Sequence, residues 1–177
     1  MSRPNAVGMQ ASGHVLRPGL LDGVSAAVAG AGPLGDAVAA RMRELGAALA
    51  REGALVDVFV WDGAAAFSAA AGVDAVRAAL DGSWLALRPV ALGWQAAGAP
   101  GLIVLLAPPP GDAHAEAARA ALENLARTLS VEWARFGIRP VAIAPGTATS
   151  PSVVAELVAF LASRAGGYYS GCRFDVS

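Results

Sequence analysis

From Val24 to Val176, short apolar runs closed by glycine or proline alternate with helix-patterned stretches, and this alternation constrains the chain more than any other feature. VSAAVAG at 24–30 runs into a tight AGPLG turn, and DAVAARMRELGAALAREG then places Val38, Met42, Leu45 and Leu49 on one helical face. LVDVFVW at 55–61 is rich in β-branched and aromatic residues and predicts a buried strand. A helix is predicted from about Ala75 to Ala96. GLIVLLA at 101–107 reads as a strand halted by Pro108, Pro109 and Pro110, which can donate no ladder hydrogen bonds. AEAARAALENLARTLSVEWARFG carries Ala118, Leu122, Leu125 and Leu129 on one stripe and stops at Gly137. RPVAIAPG, VVAELVAFLASRAG and CRFDV add a strand, a helix and a last strand. About five strands alternating with four helices argue for a parallel sheet covered on both faces, because parallel neighbours need crossover connections. At 177 residues the chain fits one such domain, 21–177, behind a flexible lead-in at 1–20 that mixes Pro, Gly, Asn, Ser and Gln without a period.

Composition removes whole classes of function. All 13 basic residues are Arg, so a Schiff-base lysine, a P-loop lysine and a Tyr/Lys acid-base pair are impossible. A net charge of -1 provides no field that would gather nucleic acid or an anionic membrane. The single Cys172 allows neither an internal disulfide nor a Cys-rich metal site; it reads as a small apolar filler and fits a reducing compartment. Although 55% of the residues are apolar, the longest charge-free window, Pro89 to Gly111, is broken by prolines and glycines that a membrane span could not satisfy. Arg3 is followed by no apolar core, so no signal peptide is expected. A soluble, cytoplasmic protein is the expectation.

The order of these pieces resembles the short-chain dehydrogenase/reductases (SDRs), of the 3-oxoacyl carrier-protein reductase type. LLDGVSAAVAGAGPLG is similar to that family's first strand and glycine turn, and VDVFVWDGAA sits where its Asn-Asn-Ala-Gly strand would be. AARAALENLARTLSVEWARFGIRPVAIAPG resembles the catalytic helix, the following strand and the Pro-Gly motif, and VVAELVAFLASRAGGYYSGCRFDVS the terminal helix and strand. The resemblance implies a three-layer Rossmann-like α/β sandwich in which the second and third family strands are missing. The remaining sheet has the order 1-4-5-6-7 in family labels, with the first strand as an exposed edge. It also implies loss of the substrate loop, since six residues separate Gly146 from Val153.

Carried over position by position, the resemblance finds the family's catalytic slots vacant. The serine falls at Ala107 to Pro109, centred on Pro108; the tyrosine on Ala115; the lysine on Arg119; the helix asparagine near Ala79. In the family the tyrosine is the general acid and the lysine lowers its pKa, so a chain lacking both cannot work in that way. Tyr168 and Tyr169 belong to the final helix-to-strand turn. His114 precedes the vacant tyrosine slot and is the one imidazole in the domain that could replace a phenol. Arg119, however, is five residues on and diverges from it on a helix. The bland reading, a helix-start histidine, is preferred. The halohydrin dehalogenases, a nucleotide-free branch with this fold, pair Tyr with Arg; Arg119 matches them and Ala115 does not.

GAGPLG supplies Gly30, Gly32 and Gly35 in a GxGxxG pattern, which lets backbone approach a pyrophosphate at a helix N-terminus. Family spacing would put one more residue between the first two glycines, and Pro33 restricts the loop, so a relict structural turn is preferred over NAD(P) binding. In a rival alignment 55–61 is the second strand and Asp62 the ribose-binding carboxylate, although that residue normally lies ~20 positions past the motif. No cofactor and no metal is the expectation. Trp61, Trp84, Trp94 and Trp133 read as core or interface anchors. The resemblance implies that helices 75–96 and 113–136 form a four-helix dimer interface. The chain then reads as an inactive SDR-like subunit assembling with an active SDR enzyme or with itself. The competing reading is a minimal oxidoreductase or cofactor-independent enzyme built on His114, Arg119 or Asp62.

Overall fold

The structure is a computed structural model that describes residues 15–51 and 53–177. Its elements alternate as the sequence pattern requires: β1 (Ser25–Ala29), α1 (Pro33–Glu44), β2 (Ala48–Leu49), β3 (Val58–Asp62), α2 (Gly63–Ser68), α3 (Gly72–Ala97), β4 (Gly101–Leu106), α4 (Ala113–Glu132), β5 (Ile138–Pro145), α5 (Pro151–Ala162) and β6 (Arg173–Val176). All strand pairs are parallel, in the order β2-β1-β3-β4-β5-β6. The lead-in read over 1–20 lies outside the described residues as far as 14. Beyond it Leu16 packs against the core and Leu21 is fully buried.

The pleat explains the three layers. Val58, Val60, Leu102, Val104, Leu106, Val141 and Ile143 point to one face and pack under α1 and α5. Their alternates Phe59, Ile103, Leu105, Ala142 and Ala144 point to the other face, under α3 and α4. β4 lies at the centre of the sheet and buries all six of its residues, as a parallel strand covered on both sides must. Each large side chain removed from water, such as Phe59, Met42 or Leu122, contributes about 1.5–3 kcal/mol.

Two expectations need correction. The sheet has six strands, because Ala48–Leu49 pairs with Ser25 and Ala26 on the side of β1 away from β3. β1 is therefore not the sheet edge; β2 is, although its pairing stops at Ala26 and no other described strand continues along the outer side of β1. No third strand or crossover helix follows among the described residues, so the sheet is reduced as expected. The order also excludes the rival alignment of 55–61. β3 lies between β1 and β4, in the family's fourth-strand place, and the second-strand place belongs to the β2 stub.

Helix ends are local chemistry. α3 is longer than the 75–96 reading and ends at Gly98, whose φ of 62° is left-handed; it carries Pro89 on its solvent side. α4 stops at Glu132, and one 3-10 turn, Ala134–Phe136, separates it from left-handed Gly137. At the other end of α4 the Asp112 carboxylate caps the helix, accepting the N–H groups of His114 and Ala115, each at 3.0 Å. No described helix is long and apolar enough to cross a membrane.

Two tests follow from these contacts. The Ala115 N–H bond, and more weakly the neighbouring His114, hold the Asp112 carboxyl below its ordinary value of 3.8. A carboxyl depressed in the folded state stabilises it fully above the unfolded value, and that contribution disappears as pH falls through the folded value. Asp112→Asn, which caps without a charge, should therefore lose less melting temperature than the parent protein between pH 5 and pH 3. A Cβ on Gly101 would collide with the ring of Trp94, which is fully buried and donates Nε1–H to the Val56 carbonyl. Gly101→Ala should cost about 1–3 kcal/mol in urea unfolding.

Candidate ligand cleft and vacated catalytic positions

In open α/β sheets ligands bind beyond the carboxyl ends of the strands. There a cleft of about 480 Å³ opens between the glycine turn (Ala31–Leu34), α2 with its preceding residue (Asp62, Ala64, Ala65, Ser68, Ala69), Pro109 after β4, and Pro145–Thr149 after β5. Of the positions singled out in the sequence, Gly32, Pro33, Asp62 and Pro109, the last of the serine-slot range, line this cleft. Gly30 and Gly35 shape its turn from behind. Ala79, Pro108, Ala115, Arg119 and His114 are not among its lining residues.

Asp62 organises the turn. It ends β3, has no solvent exposure, and divides its two oxygens between backbone donors: Oδ2 accepts the Gly35 N–H at 2.8 Å and Oδ1 the Ala65 N–H at 2.9 Å. Gly35 is the third residue of α1, whose capping residue, Gly32, has no side chain to offer. The carboxylate thus performs from across the sheet the work of an N-cap, and its charge meets the positive end of the α1 dipole. Each glycine of the motif is accounted for by this packing. Gly30 has a φ of 92° and approaches Asp62; a Cβ on Gly32 would lie 2.6 Å from Ala65 Cβ; one on Gly35 would lie 3.1 Å from Asp62 Oδ2.

Arg119, in the lysine slot, is equally committed. Its side chain is 7% exposed, and Nη1 donates to the carbonyls of Pro108 and Pro145, both at 2.8 Å, which ties the ends of β4 and β5 together. Its other nitrogens face Glu116 at 3.7 Å and Asp175 of β6 at 3.6 Å. Asp175 in turn pairs with Arg173, which also reaches Glu123 of α4 at 2.9 Å. These two carboxylates, Asp175 foremost, hold the Arg173 guanidinium above its ordinary value. The cluster lines a separate hollow of about 220 Å³ beside the last residues of the chain.

The remaining slots hold no reactive group. Ala107 and Ala115 are buried methyls. Ala79 is buried, and its carbonyl accepts the Trp61 indole N–H at 3.3 Å. His114 is half-exposed and turns to Asp112, 3.6 Å away. Tyr168 is fully in solvent, while Tyr169 packs on Phe160 and Phe174. No group of three or more potential metal ligands gathers among the described residues. Trp94 is a core anchor, and Trp84 stacks on Trp133 at 6.3 Å across the outer surface of α3 and α4.

Sequence reasoning missed two features. One is the capping role of Asp62, for which the absence of any polar cap at Gly32 was the available signal. The other is Arg51, exposed just beyond the β2 stub, where doubly wound folds carry the residue that reads an adenosine ribose. Its distance of 21 residues from Gly30, by numbering, was the clue.

No protein-family model matches the chain. Solved structures with a similar chain path include the citronellol catabolism dehydrogenase AtuB of Pseudomonas aeruginosa PAO1, at 23% identity and a TM-score of 0.74 over 92% of this chain and 97% of that one. A short-chain type dehydrogenase/reductase from Mycobacterium marinum matches at 19% identity and 0.74, over 88% and 94% of the two chains. A short chain dehydrogenase from Mycobacterium smegmatis matches at 20% and 0.73, over 90% and 93%. At these identities the likeness is one of architecture: the chain has the Rossmann-like fold of the short-chain dehydrogenase/reductases, in truncated form.

Proposed function

We propose that this chain is a non-catalytic cytoplasmic subunit with the SDR fold, akin to 3-oxoacyl carrier-protein reductases, that assembles with an active SDR enzyme through α3 and α4 and works without a nucleotide cofactor. The observation that carries the reading is the fate of Arg119: the side chain in the lysine slot donates to two carbonyls and is not among the residues that line the cleft. A guanidinium so held has no phenol to assist, since position 115 is alanine. The enzyme reading through His114 finds less support, since that imidazole lies beside Asp112 and outside the cleft.

Assembly draws its support from the outer face of α3 and α4. Leu85 is 74% exposed, Leu92 follows one heptad later at 50%, and Val131 on α4 is 79% exposed, around the Trp84–Trp133 stack. Apolar and aromatic side chains gathered on one face are the composition of an interface centre.

In native mass spectrometry, the chain co-expressed with an intact SDR enzyme encoded beside it should appear as a mixed oligomer. Leu85→Asp with Leu92→Asp should weaken that oligomer at least ~10-fold at unchanged melting temperature. Only two-copy species would instead make the chain a homodimer, and NADPH oxidation by the purified chain at enzyme-like rates would overturn the reading. For Arg119, Arg119→Met should lower stability by about 2–4 kcal/mol in urea unfolding, and Arg119→Lys should recover only part of it, because one ammonium nitrogen can serve the two carbonyls, as Nη1 does, but cannot also face Glu116 and Asp175. A catalytic Arg119 would respond differently, with the lysine variant gaining reductase activity.

A further inference from the structure

The cleft at the carboxyl ends of β1, β3, β4 and β5 has the position of a cofactor site and the chemistry of something else. A pyrophosphate at the α1 N-terminus would need the donors that helix ends normally leave free. Here the Gly35 N–H already holds the Asp62 carboxylate at 2.8 Å, so the positive end of the α1 dipole is answered from inside the protein. No arginine is among the described lining residues, Arg51 beyond the β2 stub included, and an anion brought to this turn would approach a carboxylate. A cationic ligand fares no better. Asp62 is the one ionisable residue among the described lining residues; it has no exposure, and both its oxygens already accept backbone N–H groups. What the opening presents is Leu34, Ala64, Pro109 and Pro145, with the hydroxyls of Ser68 and Thr147 at the exposed rim.

We infer that this cleft is a binding site for an uncharged, mainly apolar small molecule with one hydrogen-bonding group, and that the buried Asp62 carboxylate excludes dinucleotides from it. The volume, about 480 Å³, suits such a ligand, since sites of roughly 300–1,000 Å³ with mainly apolar walls and few polar groups are what small molecules occupy. The inference goes beyond the subunit reading and does not depend on it: it holds equally for a chain that assembles only with itself.

The test titrates the full chain with N-phenyl-1-naphthylamine, a neutral apolar fluorophore, and separately with NADH and NADPH, following fluorescence in each case. Saturable enhancement by the neutral probe is expected, with either nucleotide binding at least ~10-fold more weakly. Ala69→Phe and Thr147→Trp, which fill the cleft from opposite walls at exposed positions, should each reduce probe affinity ~10-fold or more, with circular dichroism reporting that each variant is folded. The inference is overturned if the probe fails to bind the parent chain, or if NADH or NADPH binds as tightly as the probe. It is overturned too if enhancement survives both fillings but is lost in Leu85→Asp, which would place the probe on the helical face. A mixed oligomer that forms without any probe binding would sink this inference and leave the subunit reading intact.

Discussion

A carboxylate with no access to water must find partners inside the protein, and the way Asp62 does so sets the upper half of this molecule. Its two oxygens bind the first turn of α1 and the first turn of α2, so one side chain at the end of a central strand fixes both helices against the sheet. Hydrogen bonds to a charged group contribute about 1.5–3 kcal/mol each, and the α1 dipole adds to them. Glycine at 30, 32 and 35 is the steric condition for this arrangement, because backbone must come close enough to surround the carboxylate. The same geometry that makes the turn look like a phosphate cradle in sequence therefore fills the cradle from within.

Arg119 plays the corresponding part for the other half. Parallel strands converge at their carboxyl ends with carbonyls that no following strand satisfies, and here the Pro108 and Pro145 carbonyls share one guanidinium. A single nitrogen, Nη1, serves both carbonyls, and what the guanidinium adds over an ammonium is that its remaining nitrogens face Glu116 and Asp175 at the same time. The guanidinium at this position therefore helps to close the sheet. Asp175 and Arg173 extend the clasp to β6, so the last strand is held by charge as well as by its ladder to β5.

How much of this was legible beforehand depends on how local the signal is. β4 and β5 were visible because burial on both faces leaves unbroken apolar runs, and α4 because its stripe is regular. β3 begins at Val58 rather than at Leu55, since Asp57 is drawn to Ser25, whose backbone N–H and hydroxyl both donate to its carboxylate. The stub Ala48–Leu49 was invisible: two residues carry no period, and they become a strand because the backbone leaving α1 returns beside β1. That position 115 carries only a methyl group could be read directly, as an absent functional group needs no coordinates. The roles of Asp62 and Arg119 could not, because both depend on partners 27 and 11 or more residues away that only the closed sheet brings together.

The reduction of the sheet and the internal capping of the glycine turn are physically connected. A full doubly wound sheet continues past its first strand, and that half supplies the wall against which an adenosine would lie. Among the described residues only β2 lies there, and its pairing with β1 ends at Ala26, before the stretch that leads into the glycine turn. A turn at such a margin has few neighbours to hold it, and an α1 N-terminus left without a phosphate would carry unsatisfied donors into a half-buried position. The internal carboxylate removes both problems, anchoring the turn to the central strand and satisfying its Gly35 donor. On this argument Asp62 is what allows a sheet lacking its nucleotide half to remain a stable scaffold.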